Sequence, residues 1–212
     1  MKYDFGGWAT RNDLQCADGR VIKKDAFKGQ NGQTVPLVWM HNHADPANVL
    51  GLAHLENRDE GVYTTNVTTG GYVGSEMYKK NLENAKTIIN AAFQGSVLTH
   101  REYLCNAVAN GRPSGGAWFD SSIELPNEPM MYGHLHFSPT SDGSTVPSIY
   151  TISKTQLALF MVCPRFIVNR SYNQWLRDVV SSADFATVYN NGHAGYLGAS
   201  GSYGVRPVFP VG

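Results

Sequence analysis

The sequence has no long apolar segment and no excess of either charge. Its longest apolar run, Leu157 to Cys163, is far shorter than the roughly 20 residues that a membrane-spanning helix needs. The chain has 17 basic and 17 acidic residues, and it lacks the basic segments that attract nucleic acid or a membrane surface. Met1 to Phe5 contain no apolar signal region. These absences predict a soluble protein that binds neither nucleic acid nor membrane.

Cysteine is also scarce. The three cysteines are Cys16, Cys105 and Cys163, which are widely spaced and form no CxxC pair. An odd number at these spacings gives neither a disulfide framework nor a zinc site. We expect unpaired thiols, as in a protein that folds in a reducing cytoplasm.

Glycine and proline, by contrast, are common. The chain contains 22 glycines and 10 prolines, which indicates many turns and short strands rather than long helices. A hydrophobic content of 42% in 212 residues supports a substantial core. This length suits one large domain or two small ones.

Strand-like runs alternate with turn clusters through the first 66 residues. Val35 to His41 is the most apolar run, and Val49 to Glu56 and Gly61 to Asn66 follow, with Asn57 to Glu60 as a turn. No helical periodicity competes with this pattern. It predicts a small antiparallel barrel or meander.

The order of these runs resembles the N-terminal half of the prohead (capsid maturation) proteases of tailed phages. The matching segments are Phe5-Gly6-Gly7-Trp8-Ala9, Asp18-Gly19-Arg20-Val21-Ile22, Asp25-Ala26-Phe27, Val35 to His41, Val49-Leu50-Gly51 and Glu60-Gly61-Val62-Tyr63. In that family the His of the Trp-x-His strand is the general base for a serine on a later strand. His41 occupies the matching position, which makes it the candidate base.

The nucleophile of that family has no recognisable counterpart. Ser96 lies at a suitable separation from His41, but it stands between two helical patterns, where Gly-Ser marks a helix boundary. A base without a positioned nucleophile is not a catalytic site. We therefore expect residues 1–68 to be a protease-like β domain reused as a capsid anchor, with His41 vestigial. The alternative is an active maturation serine protease that uses His41.

Two His-x-His pairs raise the question of a metal. His41 and His43, and likewise His134 and His136, would share one face of a strand and chelate an ion such as zinc. Asp45 follows His43 by two residues, but no Cys or carboxylate lies at a recognised metal spacing from either pair. We therefore expect ordinary polar residues, no metal and no cofactor.

The middle of the chain begins with a linker, which places a domain boundary at residues 68–72. A helix is predicted from the N-cap Ser75 to Gly95, because apolar residues recur at three- and four-residue steps. A second helix is predicted over Thr99 to Val108, a strand over Trp118 to Leu125, and a short helix over Pro126 to Gly133. The charged residues of this region, expected to be charge partners rather than catalytic groups, are Arg101, Glu102, Asp120 and Glu124.

The C-terminal segment between Tyr189 and Tyr203 is dominated by Tyr, Ser, Asn and Gly, which binding loops favour. Asn191-Gly192 predicts a hairpin that joins Phe185 to Tyr189 with Ala194 to Gly198. The alternative is that its alternate aromatic residues belong to the core. The candidate binding residues are Tyr189, Asn190, His193, Tyr196, Ser200 and Tyr203.

Apolar segments flank this stretch and resemble the closing strands of the C-type-lectin-like fold. The segments are Trp175-Leu176-Arg177 and Gly204-Val205-Arg206-Pro207-Val208-Phe209. Their branch of the fold is shared by formylglycine-generating enzymes and the variable proteins of diversity-generating retroelements. We expect a structural frame around the binding segment, formed by Trp175, Arg177 and Arg206. The two arginines are suited to partners that each guanidinium binds through two hydrogen bonds.

A longer series of motifs looks like a lectin-like domain recurrent in phage-encoded proteins. It comprises Val73-Gly74-Ser75-Glu76-Met77-Tyr78, Leu98-Thr99-His100-Arg101-Glu102, Glu124 to Gly133 and Trp175 to Ser182. Residues 72–212 would then be a lectin-like display domain. Leu125-Pro126-Asn127 replaces the Glu-Pro-Asn set of calcium-dependent lectins. The formylglycine-generating enzymes are oxidases that need catalytic cysteines near the C-terminus, and no cysteine follows Cys163 here. Calcium-dependent sugar binding and oxidase activity are therefore not expected.

Together these features predict an α+β protein in which a small β-barrel-like domain precedes a C-type-lectin-like domain. The expected function is that of a structural, non-enzymatic phage virion protein, a decoration protein on the capsid exterior that assembles in the host cytoplasm. Its expected partners are the major capsid protein, a host-surface glycan or protein, and further copies of itself. Besides the protease, a free glycan-binding adhesin remains as an alternative.

Overall fold

The computed structural model describes residues 14–15, 21–22, 37–42, 45–53, 67–93, 97–109, 112–139, 155–168 and 172–211. Its helices are few and its sheets are antiparallel, so the predicted α+β class is confirmed. Within the described ranges, no helix is sufficiently long and apolar to cross a membrane.

Among the described residues, short strands outnumber helices. In chain order the elements are β1 (Leu14–Gln15), β2 (Val21–Ile22), β3 (Leu37–Asn42), β4 (Asp45–Ala53), a π-helical turn (Met77–Asn81) that continues into α1 (Leu82–Phe93), β5 (His100–Ala109), β6 (Arg112–Ser121), α2 (Glu128–Tyr132), α3 (Ala158–Val162) with a 3-10 turn (Pro164–Phe166), β7 (Gln174–Val179), β8 (Asp184–Val188), β9 (Ala194–Gly198) and β10 (Val208–Val211).

The strands form four small sheets, with the orders β1-β2, β10-β4-β3, β5-β6 and β7-β8-β9. The N-terminal strands that the structure describes form no closed barrel. Strand β10 pairs with β4, with Phe209 opposite Gly51. The C-terminal strand therefore shares a sheet with strands that precede the predicted boundary at residues 68–72, and the division into two domains stays a prediction.

The predicted helix after this boundary is present. Ser75 Oγ accepts the backbone N–H of Tyr78 at 3.1 Å, which is the capping interaction that a serine at a helix start supplies. Leu82, Ala85 and Ile89 are buried, as the apolar periodicity predicted. The predicted end at Gly95 lies outside the described residues.

The second predicted helix is wrong, because residues 99–108 lie largely in strand β5. Glu102 and Leu104 are buried while Arg101 and Tyr103 are more exposed, which is the alternation of a strand rather than a helix. The pairing with β6 stabilises the strand: Tyr103 lies opposite Trp118, and their rings meet edge to face at 5.5 Å. Cross-strand pairs of this kind override local helix propensity.

Sheet β7-β8-β9 lies between two apolar clusters. Trp175 of β7 and Phe185 of β8 join a cluster with α1. Their neighbours Leu176 and Ala186 join a second cluster with Phe160 and residues of α2. Because successive strand residues point to opposite faces, this sheet is covered on both sides, and its edge strand β9 belongs to the predicted binding segment.

Candidate functional site

Five exposed or half-exposed rings lie together where the loop after α2 meets β9. We name Tyr132, His134, His136, Phe137 and Tyr196 the aromatic strip. Ring centroids are 4.9 Å apart for Tyr132 and His136, 4.3 Å for His134 and His136, and 5.2 Å for Phe137 and Tyr196. Phe137 is 43% exposed and Tyr196 is 47% exposed. Contiguous exposed apolar surface of this kind marks an interaction site.

A buried carboxylate holds the loop of the strip in place. Glu128 is fully buried, and its oxygens accept the backbone N–H groups of His136, Phe137 and Ser138, each at 3.1 Å. The Glu128 N–H in turn donates to the Asp178 carboxylate on β7 at 2.5 Å. Since a buried charge is tolerated only when it is well hydrogen-bonded, these contacts fix the backbone under two of the strip's rings.

Short-range capping sets the start and end of α2, and so the point where the loop begins. Asn127 Oδ1 accepts the N–H of Met130 at 2.9 Å. Gly133 ends the helix with φ of 87° and donates its N–H to Pro129 O. A left-handed residue after the last turn is the usual glycine C-cap, and it turns the chain so that His134 enters the strip. The predicted short helix is confirmed.

The loop also bonds to the turn of the β8–β9 hairpin. Tyr132 donates its hydroxyl to Gly192 O at 3.1 Å, and burial raises the pKa of Tyr132, so the hydroxyl stays a donor. Gly192 has φ of 89° and donates its N–H to Tyr189 O at 2.8 Å. The hairpin that Asn-Gly predicted is therefore confirmed, and its turn is tied to α2.

Three of the predicted binding residues lie on this side of the molecule. Tyr196 belongs to the strip. His193 and Asn190 are exposed in the adjoining turn, where the His193 N–H donates to Asn191 Oδ1 at 3.2 Å and the Asn190 N–H donates to Asn173 Oδ1 at 3.0 Å. The turn thus presents an imidazole and an amide beside the rings.

The other predicted binding residues are placed differently. Tyr203 packs against Trp175 with ring centroids 4.9 Å apart, which assigns it to the α1 side of the sheet. The Tyr189 ring lies so close over Gly195 that a Cβ there would be 2.5 Å from it. Ser200 is exposed in the turn after β9. The structure therefore does not bring Tyr189 and Tyr203 together with Tyr196.

Sequence reasoning did not assign Tyr132, His134, His136 and Phe137 to a binding surface, and the His-x-His pattern suggested only a metal pair. Within the described ranges, no three His, Cys, Asp or Glu side chains are placed to hold a metal ion.

His41 lies in β3 opposite Val49. Because His43 and Ser96 lie outside the described residues, the prediction about His41 stays a prediction.

Arg177 has the carboxylate partner that its position suggested. Its Nη2 lies 2.9 Å from Glu102 Oε1, and both side chains are buried. The other Glu102 oxygen lies 3.0 Å from His100 Nε2. The pair links β7 to β5 beneath the surface, so Glu102 acts as a charge partner.

Another buried carboxylate, that of Glu124, lies near α1. Glu124 accepts hydrogen bonds from Tyr72 at 2.6 Å and Ser121 at 2.5 Å. Burial raises the pKa of Glu124, and burial together with the nearby Glu124 raises the pKa of Tyr72 well above its usual value. Perturbed groups of this kind suggest catalysis when they line a cleft. Glu124 is only 3% exposed, so this cluster serves the core.

Comparison of the chain with protein-family models, curated proteins and solved structures gave no match. A function for the chain therefore rests on the geometry of the aromatic strip and of the residues that support it.

Proposed function

We propose that the protein is a non-enzymatic phage virion protein that binds a host-surface glycan through the aromatic strip. The observation that carries the proposal is the exposure of Phe137, whose backbone the buried Glu128 holds, together with the exposure of Tyr196 on strand β9. Rings that are already fixed lose little conformational freedom on binding, which favours affinity.

The chemistry of the strip suits a ligand that is apolar on one face and polar at its edges, as a sugar ring is. Phe137 and Tyr196 offer apolar ring surface. His134, His136 and His193 are exposed beside them, and an imidazole both donates and accepts hydrogen bonds. Neither the aromatic rings nor the imidazoles need calcium to bind a sugar, which agrees with the absence of the Glu-Pro-Asn residues of calcium-dependent lectins.

Attachment to the capsid rests on the resemblance of residues 1–68 to the prohead proteases without their serine. In this proposal the N-terminal part contacts the major capsid protein and the strip faces outward from the particle. The pairing of β10 with β4 places part of residues 1–68 in one sheet with the C-terminal strand.

A glycan array probed with the wild type and with Phe137→Ala and Tyr196→Ala tests the binding role. Each variant is expected to lose at least about tenfold in affinity for the glycan found, about 1.4 kcal/mol. Met161→Ala is the matched control, because Met161 on α3 is 62% exposed and lies outside the strip. Binding that survives both strip substitutions, or that Met161→Ala also removes, contradicts the proposal.

Mass spectrometry of purified virions tests the location. The proposal requires the protein in mature particles, and its absence from them would rule out a decoration role while leaving a free adhesin. If His41→Ala instead stopped the processing of capsid proteins, an active protease would replace this proposal.

A further inference from the structure

Arg206 is a buried cation without a counter-ion among the residues that the structure describes. It is 6% exposed. Its Nη1 lies 3.5 Å from Ile167 O and 3.4 Å from Gln174 Oε1, and both distances exceed the usual 2.7–3.2 Å of an N–H···O bond. Its Nε has no hydrogen-bond partner in the described part of the chain.

Gln174 adds a second unsatisfied donor at the same place. Its side chain is buried, and Nε2 likewise lacks a partner within the described ranges. Turning the amide over would satisfy nothing, because it would place the NH₂ group against the guanidinium. Arg206 Nε and Gln174 Nε2 are therefore two neighbouring donors for which the described part of the chain supplies no acceptor.

Arg177 has a carboxylate partner, which Arg206 lacks among the described residues. Arg177 is also buried, but Glu102 lies 2.9 Å from it. Burial lowers the pKa of Arg206 to about 10, and among the described residues the electrostatic interaction with Tyr172 acts in the opposite direction. Arg206 is still protonated at neutral pH, and an isolated buried cation is costly unless an anion compensates it.

We propose that Arg206 and Gln174 bind the carboxylate of a small-molecule ligand. A carboxylate matches the planar fork of a guanidinium, and the Gln174 amide supplies a further donor. The ligand would bring the acceptors and the negative charge that the buried donors lack.

The site lies just beneath the surface, at the base of the hairpin turn. Val168, next to Ile167, is 37% exposed, and Asn173, next to Gln174, is half-buried. Asn173 also accepts the N–H of Asn190. Neither Arg206 nor Gln174 belongs to the aromatic strip, so the inference does not rest on the proposed function.

Thermal unfolding in sodium acetate and in sodium chloride of equal ionic strength tests the site. The Tm of the wild type is expected to rise saturably, by about 3 °C or more, when acetate is at ten times its Kd. Chloride is expected to raise Tm less, because a single ion cannot bind the guanidinium in a bidentate way. Arg206→Met should lose this response. Arg165→Met, which removes an exposed arginine, should keep it.

A second variant and a second readout cover the case in which Arg206→Met does not fold. Arg206→Lys keeps the charge without the fork and should lose most of the acetate response. In the wild type, one arginine Nε–H resonance should shift on acetate titration, and it should be absent from the Arg206→Lys spectrum. Equal Tm responses to acetate and chloride, or an acetate response that persists in both Arg206 variants, would overturn the proposal.

Discussion

The buried carboxylate of Glu128 accepts the backbone N–H of Phe137 at 3.1 Å, so a core residue fixes the position of an exposed ring. The same carboxylate accepts the N–H groups of His136 and Ser138. The strip is therefore part of the folded frame, and its binding should depend on Glu128.

Replacing Glu128 by Gln should lower both stability and binding. One acceptor oxygen becomes an NH₂ group that faces N–H donors, and a buried N–H that loses a charged acceptor costs about 1.5–3 kcal/mol. At about 2–4 °C per kcal/mol for a chain of this size, calorimetry should show Tm lower by about 3–12 °C. Glu83→Gln is the control, because Glu83 is 57% exposed in its pair with Lys86. Equal Tm values for the two variants would contradict the role of Glu128.

Arg177→Met should be strongly destabilising, because it removes the guanidinium that lies 2.9 Å from the buried Glu102 carboxylate. Removal of one member of a buried pair costs about 3–5 kcal/mol, to be measured by urea denaturation. The double variant Arg177→Met with Glu102→Leu should recover most of the loss, since replacement of both partners by apolar groups is often neutral. A loss below about 1 kcal/mol in the single variant would show that the pair is not buried as described.

Gly192→Ala should destabilise the hairpin turn for two separate reasons. A non-glycine residue in the left-handed region costs about 1–2 kcal/mol, and a Cβ on Gly192 would lie 2.9 Å from Val168 Cγ2. Adding Val168→Ala should remove the steric part alone. The denaturant midpoints of Gly192→Ala and of the double variant Gly192→Ala with Val168→Ala should therefore differ. Identical midpoints would show that the contact with Val168 has no energetic effect.

Glu124 should make stability fall as pH rises from about its usual pKa of 4.5. Burial raises its pKa in the folded state, so the folded protein binds this proton more tightly than the unfolded chain does. Its stabilising contribution is complete below the unfolded pKa and is lost as pH rises through the folded pKa. Lys86 and Arg177 reduce the shift without reversing it.

The measurement is the difference in free energy of unfolding between wild type and Glu124→Gln as a function of pH. Subtraction removes groups with the opposite trend, such as Glu76, whose pKa is lowered by its hydrogen bond and ion pair with Lys80. The variant should gain stability relative to the wild type as pH rises above the usual glutamate pKa of 4.5. A flat difference, or one of opposite sign, would show that Glu124 is not held in a desolvated site.

Local patterns in the sequence were sufficient for several elements. Ser75 and the apolar periodicity after it predicted α1, Asn191-Gly192 predicted the hairpin, and the run from Pro126 to Gly133 predicted α2. Each of these signals lies within a few residues of the structure that it determines, because caps and turns are made by neighbouring backbone groups.

The features that were missed depend on contacts between distant residues. Strand β5 is recognisable only from its pairing with β6, since a sequence such as His100 to Ala109 has no strong strand preference of its own. The strip forms because Tyr132 bonds Gly192, 60 residues away, and Glu128 bonds Asp178, 50 residues away. The difference between Arg177 and Arg206 likewise follows from which carboxylate folding brings near, which residue type alone does not show.

The affinity of Phe137→Ala for the glycan that the wild type binds tests the central claim most directly. We expect a loss of about tenfold or more with an unchanged Tm, because Phe137 is 43% exposed and its backbone N–H, not its ring, bonds Glu128. Wild-type affinity in a folded Phe137→Ala protein would contradict the assignment of the aromatic strip as the binding surface.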